Sequence, residues 1–528
     1  MVIALCLLAV LVPKAADAAA PAAAVKAEVA AMLSSSQRLP LPIERVRGAL
    51  KSYYITNNAP LYWVGTAHPQ QFVTRVNNAL YDGLDTGAYP IDSLQSLARD
   101  AAVGDAADGA TAELYYSAFY VAYAADLKIG RVTPQKVDPN LFRNPKTIDA
   151  LRVLTTMGGQ ADAGRALSLF EPQNTHYQVL KRMLRAYTKA INDGLDWPVI
   201  GQGGDLKPGG NDARVPAIRT LLSFTGDYEG PDSASTKYDA SLIEGVKRFQ
   251  VRHGLEAKGL LGKQTITAMN VSPQDRQKQI ILNMERWRWM PDQLGDDHFL
   301  INIAGFELQR VKGGKSVERM NVVVGAVATQ TPEFSKEMEY VELNPYWTVP
   351  YAIATGEMLP KLRANPFQYA DDFDVFVNGR ISDWGSINWA AYGPGNFPFT
   401  FRQHPGPKNA LGKVKFMLPN PHNIYLHDTP AKDKFANTTR AFSHGCIRLS
   451  RPADLAYELL GDELGMSPAL IDAIWASGQN KKVVLPRKIP VHIVYATAFA
   501  TDNGIEFRPD VYGRDRKLYA ALFGRPLS

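Results

Sequence analysis

Cysteine is nearly missing from this chain. Its 528 residues contain two, Cys6 and Cys446, which excludes a disulfide-stapled scaffold. Long apolar runs are missing too. The run from Val2 to Val12 has eleven residues, well short of the roughly 20 that span a bilayer. No basic run carries interleaved aromatics, so nothing points to nucleic acid as a partner. Neither charge sign dominates: 58 Lys and Arg against 52 Asp and Glu leave +6. That bias reads as a solvated surface, with an anionic surface as the alternative partner. There is no internal repeat. What is present is ordinary globular composition, 46% hydrophobic and 21% charged. At about 150 residues per domain the length suggests three or four domains, each able to bury its own core.

The apolar run at the start is followed by Lys14 and an A-x-A site at Ala16-Asp17-Ala18. Residues 1–20 therefore read as a secretory signal peptide. A positive n-region is absent, because Val2 follows Met1 directly; a start codon placed too late and an uncleaved anchor are the alternatives. Ile3-Ala4-Leu5 before Cys6 is a poor lipoprotein signal. Once the signal is removed Cys446 is the single thiol, either inert and buried or chemically employed.

Residues 21–36 are Ala-rich and end in Ser34-Ser35-Ser36, which reads as a linker. Residues 37–205 read as a helical domain from apolar positions such as Ile43, Val46, Leu50 and Tyr53, or Leu114, Ala118, Val121 and Ala125. The Gly-rich stretch 201–210 marks a boundary. Residues 206–272 read as a compact three-helix unit. Ser241 and Glu244 have capping-box spacing for its second helix, and Leu242, Val246 and Phe249 form that helix's inner face. From Phe299 the period becomes two, with Gly313-Gly314 as a turn between strands. Residues 278–516 thus read as β-rich. The Pro-, Gly-, Asn- and aromatic-rich stretch 351–410 interrupts them, as a functional lid would. Residues 517–528 are left as a C-terminal tail. Trp287 and Trp289 read as interdomain packing.

The chemistry concentrates in PHNIYLHDTPAKDKFANTTRAFSHGCIRLSR, residues 421–451. Cys446 has His444 two residues before it and His427 nineteen before it. A free thiol is only a few per cent thiolate at neutral pH, so a cysteine nucleophile needs a base. It also needs donors for an oxyanion, and the amides of Gly445 and Cys446 are the candidates. The helical pattern after Pro452 is expected to place the thiol at a helix start, which would favour thiolate. Two other readings stay open: His427, His444 and Cys446 as ligands of one metal, or Cys446 as a buried structural cysteine. Tyr425 reads equally as a cleft residue and as a strand core aromatic, and Trp347 as packing or as a substrate contact.

Three stretches carry a resemblance. "VKRFQVRHGLEAKGLLGKQTITAMN" with the upstream "RVPAIRTLLSF" resembles the type-1 peptidoglycan-binding domain. His427, fifteen intervening residues and then Ser443-His444-Gly445-Cys446 resemble the YkuD-type L,D-transpeptidase signature. "NPYWTVP", "HPGPKNALGKVKF" and "NIYLHDTPAK" are similar to the large YcbB-like branch of that family. The resemblance implies an α+β multidomain protein: helical scaffold, three-helix peptidoglycan-binding module, and β-rich catalytic domain with an inserted capping subdomain. It implies Cys446 as nucleophile and His427 as acid/base, the ring held by the Asp428 carbonyl. Gly445 and His444 are then supporting residues, and Arg448, Tyr425 and Trp347 face substrate. It implies a periplasmic or cell-envelope enzyme of cell-wall biogenesis and cell shape, needing no cofactor or metal and acylated by carbapenems. Its partners would be a tetrapeptide donor, a diamino-acid amine acceptor and the sacculus. Water or a lipoprotein lysine as acceptor, or a non-catalytic wall-binding scaffold, are the alternatives.

Overall fold

The computed structural model describes residues 19–231, 234–501, 504–524 and 527. Most of the expected signal segment, Cys6 included, lies outside them. Among the described residues no helix is long and apolar enough to cross a membrane.

The first region is helical and is organised around the long helix Ala106–Ile129. Asp105 starts it with a reciprocal capping box, accepting from Ala107 and Asp108 N–H while Asp108 accepts from Asp105 N–H. Its buried face supplies Leu114, Tyr116, Tyr120, Val121 and Tyr123 to a core shared with Ile43, Leu50, Trp63 and Phe72. The expected linker at 21–36 is a correction. Ala22–Ser34 is a helix, with Val25, Val29 and Leu33 buried. Alanine is the strongest helix former, and those three side chains recur every fourth residue on one face. Gly109 on the long helix makes room: a Cβ there would meet Val25 Cγ2 at 2.8 Å.

The second unit packs helices Val215–Phe224, Ala240–Arg252 and Lys263–Met269 around Ile218, Leu222, Val246, Phe249 and Ile266. Its second helix is capped by Asp239, which accepts from Leu242 N–H at 3.0 Å, rather than by Ser241, which donates to Asp239 instead. Helix Pro273–Arg288 follows and ties the units together. Ile280, Ile281, Met284 and Trp287 share one core with Tyr177, Leu180 and Leu184 of helix Thr175–Asn192. Trp287 stacks on His176, and Trp289 packs with Leu141, Leu518 and Tyr519.

Among the described residues the remaining chain contributes fifteen strands. The first four are β1 (Asp297–Asn302), β2 (Glu307–Lys312), β3 (Lys315–Gly325) and β4 (Phe334–Leu343). Then come β5 (Trp347–Thr348), β6 (Phe373–Val377), β7 (Arg380–Ser382) and β8 (Phe399–Gln403). The site strands are β9 (Val414–Met417), β10 (Leu426–His427), β11 (Ala441–Ser443) and β12 (Ile447–Leu449). Last are β13 (Lys481–Val494), β14 (Ala498–Thr501) and β15 (Gly504–Phe507). The main sheet runs β11-β3-β12-β10-β9-β4-β13-β1-β2, and a further β2–β3 pairing closes it on itself. Closure joins the ends at β2 and β3 and leaves β11, paired among the described residues with β3 alone, at an edge. Val322, Val341, Phe416, Leu426, Ile447 and Val491 fill its interior.

The 351–410 stretch is folded rather than a plain loop. β5, β8, β6 and β7 form their own sheet over a separate core of Leu362, Val375, Trp389, Phe399 and Phe401. β5 places the start of this subdomain before residue 351. The expected C-terminal tail is a second correction. Helix Arg514–Phe523 buries Leu518 and Tyr519, and Arg514 pairs with Glu333 of β4's approach at 2.9 Å.

Candidate active site

The turn before β10 is built by one side chain. Asn420 accepts from the N–H groups of His422 and Ile424 and donates to the Ile424 carbonyl. Asn423 takes a φ of 55°, a conformation asparagine tolerates well. The chain then enters β10 parallel to β12, with Leu426 opposite Ile447 and His427 opposite Arg448, and antiparallel to β9, with His427 opposite Lys415. Side chains alternate along a strand. Leu426, Ile447 and Phe416 point into the core. Tyr425, His427, Lys415, Cys446 and Arg448 therefore share the other face. Two ring contacts agree: Tyr425 and His427 lie 5.6 Å apart edge to face, and Lys415 Nζ sits 4.5 Å over the Tyr425 ring.

His427 is buried. Its Nδ1 lies 2.5 Å from the Asp428 carbonyl oxygen. A carbonyl only accepts, so Nδ1 carries the proton and Nε2 is left as the basic nitrogen. Burial drives the ring's pKa down to about 3; the Arg448 charge adds to this and the Asp428 carbonyl opposes it. The imidazole is neutral at physiological pH.

Cys446 is half-buried, and its Sγ contacts the Asn423 carbonyl at 3.5 Å. Among the described residues no hydrogen bond joins the thiol to the His427 ring. Burial pushes the thiol above its ordinary value, against smaller pulls from Tyr425, Lys415 and Arg448. This corrects the expectation of a thiolate at a helix start. Strand β12 intervenes between Cys446 and helix Pro452–Leu464, and the influence of a helix end fades within a turn.

The loop that carries Cys446 is fastened from beneath. Gly445 has a φ of 116°, which a side chain rarely adopts. Ser443 Oγ accepts the Gly445 N–H at 3.1 Å and donates to the Cys446 carbonyl at 2.6 Å. Thr331 Oγ1 donates to the Gly445 carbonyl at 2.7 Å while accepting the Gly325 N–H, and Thr329 Oγ1 donates to the Ser443 carbonyl at 2.8 Å. The Gly445 amide is thus already engaged, which corrects its reading as an oxyanion donor. The Cys446 N–H makes no hydrogen bond among the described residues. Ser443 was visible within the motif. Thr329 and Thr331 lie over a hundred residues earlier, with no local signal to find them.

The other expected residues fall in different places. Asp428 supplies the carbonyl that holds His427, and its carboxylate pairs with Lys432 at 2.6 Å. Arg448 faces the site with a buried Nε that has no hydrogen-bond partner among the described residues. Tyr425 is largely sheltered, and its hydroxyl reaches both Cys446 and Trp347. Trp347, on β5, thereby brings the base of the capping subdomain to the thiol. His444 makes no hydrogen bond to Cys446 among the described residues. It is exposed and meets Glu357 of the capping subdomain at 2.7 Å. His427, His444 and Cys446 do not converge, and among the described residues no three His, Cys, Asp or Glu side chains are grouped to hold a metal.

Residues 296–461, which enclose this constellation, match the L,D-transpeptidase catalytic domain family (YkuD). Over those residues the chain is similar to L,D-transpeptidase catalytic domains. Residues 48–184 match the scaffold domain family, and residues 211–269 match a "putative peptidoglycan binding domain". A "putative L,D-transpeptidase" of Haemophilus influenzae is 30% identical over 288 residues, 53% of this chain and 58% of that protein. The chain therefore spans little more than half the length of that relative. Among solved structures, the L,D-transpeptidase of Stackebrandtia nassauensis is 14% identical with a TM-score of 0.22, covering 56% of this chain and 96% of its own. That of Xylanimonas cellulosilytica is 13% identical with a TM-score of 0.18, covering 56% and 99%. TM-scores this low carry no structural conclusion. The matched residues and the strands after them form the closed sheet with its inserted capping subdomain.

Proposed function

We propose that this protein is a peptidoglycan L,D-transpeptidase that forms 3→3 cross-links through a thioester on Cys446. The observation that carries the reading is the shared face of β10 and β12. It sets the single described thiol beside an imidazole whose basic nitrogen is selected by the Asp428 carbonyl.

Both partners start neutral, so the proton moves as the bond forms. Sγ adds to the carbonyl of the third stem residue, a diamino acid, and the thiol proton passes to His427 Nε2. The oxyanion meets the free Cys446 N–H. Collapse breaks the amide bond to D-Ala, and the imidazolium returns its proton to the departing amine. The thioester is then attacked by the side-chain amine of a neighbouring stem, and His427 accepts that amine's proton and returns it to sulfur. Arg448, charged and without a protein partner at Nε, is suited to a carboxylate of the donor stem. His444 takes no proton; it ties the nucleophile loop to the capping subdomain through Glu357. The expected setting is the bacterial periplasm, with the 206–272 module holding the sacculus.

Incubation with a disaccharide-tetrapeptide followed by mass spectrometry tests this. A cross-linked dimer minus one D-Ala per link is expected. Trimmed tripeptide alone would make the protein an L,D-carboxypeptidase, acyl transfer only to a lipoprotein lysine would make it an anchoring transferase, and binding without chemistry would make it a wall-binding scaffold.

A further inference from the structure

A groove of about 1160 Å³ lies apart from the thiol, between the 211–269 module, helix Pro273–Arg288, the catalytic domain and the C-terminal segment. That is above the usual range for a small-ligand pocket, about 300–1,000 Å³. Neither Cys446, His427, Tyr425 nor Arg448 lines it.

Its charges are unevenly satisfied. The lining carboxylates are already engaged with groups outside it: Asp275 with Lys278, Glu307 with Arg319, Asp515 with Arg286, Glu256 with Lys258, and Asp510 with the Tyr495 hydroxyl. Among the described residues, the lining cations Lys263, Arg276, Arg440 and Arg516 make no ion pair. Two of these are built into the wall. Arg276 is buried over the Phe507 ring at 4.5 Å and donates only to Gln279 and the Ala268 carbonyl. Burial lowers its pKa to about 10, which marks a charge lacking a full counterion. Arg440 lies over Phe306 at 5.5 Å and donates to the carbonyls of Val322, Asn437 and Phe306 and to the Asn321 side chain, never to a carboxylate. Desolvated cations without an anion are costly unless a ligand completes them. The rim adds neutral hydrogen-bonding groups at Gln264, Thr267 and Thr438.

Arg440 is also where the groove meets the catalytic strand. Its carbonyl accepts from Val324, and β11 leads from it directly to the nucleophile loop. Five residues lie between Arg440 and Cys446, so the two are at most about 20 Å of extended chain apart. A polymer could occupy both places at once.

We propose that this groove binds a second, non-reacting segment of anionic peptidoglycan, with stem-peptide carboxylates on Lys263, Arg276, Arg440 and Arg516, while another stem of the same sheet reacts at Cys446. The proposal rests on the transpeptidase reading above. It makes the groove a composite of module and catalytic domain, rather than a site of the module alone.

The test uses full-length protein with Cys446→Ala, so that no acylation contributes, and purified sacculi as the probe. Lys263 and Arg516 are exposed, so K263E and R516E are not expected to disturb the fold. Each should weaken sacculus binding at least fivefold, while R165E, the same charge change at an exposed scaffold residue, leaves it within twofold. In the background with Cys446 intact, all three variants should be acylated by a small carbapenem at the parent rate. Unchanged binding in K263E and R516E, or an equal loss in R165E, would overturn the groove assignment. Failure of the parent itself to be acylated would instead overturn the transpeptidase reading, so the two failures are told apart.

Discussion

Burial sets the protonation of both proposed reacting groups, and it acts in opposite directions on them. His427 loses its proton affinity, to a pKa of about 3, and Cys446 holds its proton above the ordinary 9.0. The free enzyme is therefore a neutral pair across the physiological range, unlike the thiolate–imidazolium pairs of many cysteine enzymes. Two outcomes follow at this scale. Carbapenem acylation should show no imidazole limb between pH 5 and 8, because His427 stays unprotonated until the pH falls toward 3; absorbance near 240 nm should show no thiolate at pH 7. A limb near pH 6.5, or a thiolate at neutrality, would contradict the assigned environment. Second, His427→Ala should lower acylation by about 10²–10⁴-fold, the usual share of a general base. His444→Ala, which breaks an exposed pair with Glu357, should lower it by less than about tenfold. Steady rates of acylation of the two variants check this, and a reversed order would exchange the two histidines' roles.

The elements matter because they hold the Cys446 loop still. Thr331 bridges Gly325 of β3 to the Gly445 carbonyl, next to Cys446. Thr331→Val preserves the shape and leaves both backbone groups unpaired, a loss of about 1–3 kcal/mol. Denaturant melts should register that loss. Because Thr331 acts through the loop, the variant should also slow acylation at unchanged pH profile, which a purely structural role would not require. Much of this element scale was legible in the chain. The two-residue period of Phe299, Ile301 and Ile303 and the Gly313-Gly314 turn appear as β1 and the β2–β3 connection. The motif spacing located Cys446 and His427. Helix Ala22–Ser34 was illegible because an alanine run has almost no contrast between faces, and only Gly109, far along the chain, shows what it packs against. The engaged Gly445 amide and the intervening β12 depend on tertiary hydrogen bonds, which spacing does not report. Asp239 outcompeted Ser241 as a cap because its carboxylate reaches the Leu242 N–H from outside the helix.

On the largest scale, the helical region that carries the other units is itself tied together by buried charge. Lys181 on helix Thr175–Asn192 meets both Asp82 and Glu171, and Arg75 meets the same two carboxylates; all but Arg75 are fully buried. Removing one cation strands carboxylate charge in the interior, which typically costs about 3–5 kcal/mol. Lys181→Met should therefore lower the melting temperature by several degrees, measured by calorimetry, while leaving the Cys446 site chemically competent. A variant as stable as the parent would show that the cluster contributes little.

The account stands on Cys446 as the acyl acceptor, and a strained β-lactam is the simplest acyl donor that reports on it. The full-length protein should be incubated with a carbapenem, weighed intact, digested and mapped. One drug mass per chain is expected, carried as a thioester on the fragment containing Cys446, unaffected by chelator and absent from Cys446→Ser. An adduct on any other residue, or an unmodified Cys446 in a folded protein, would contradict the account.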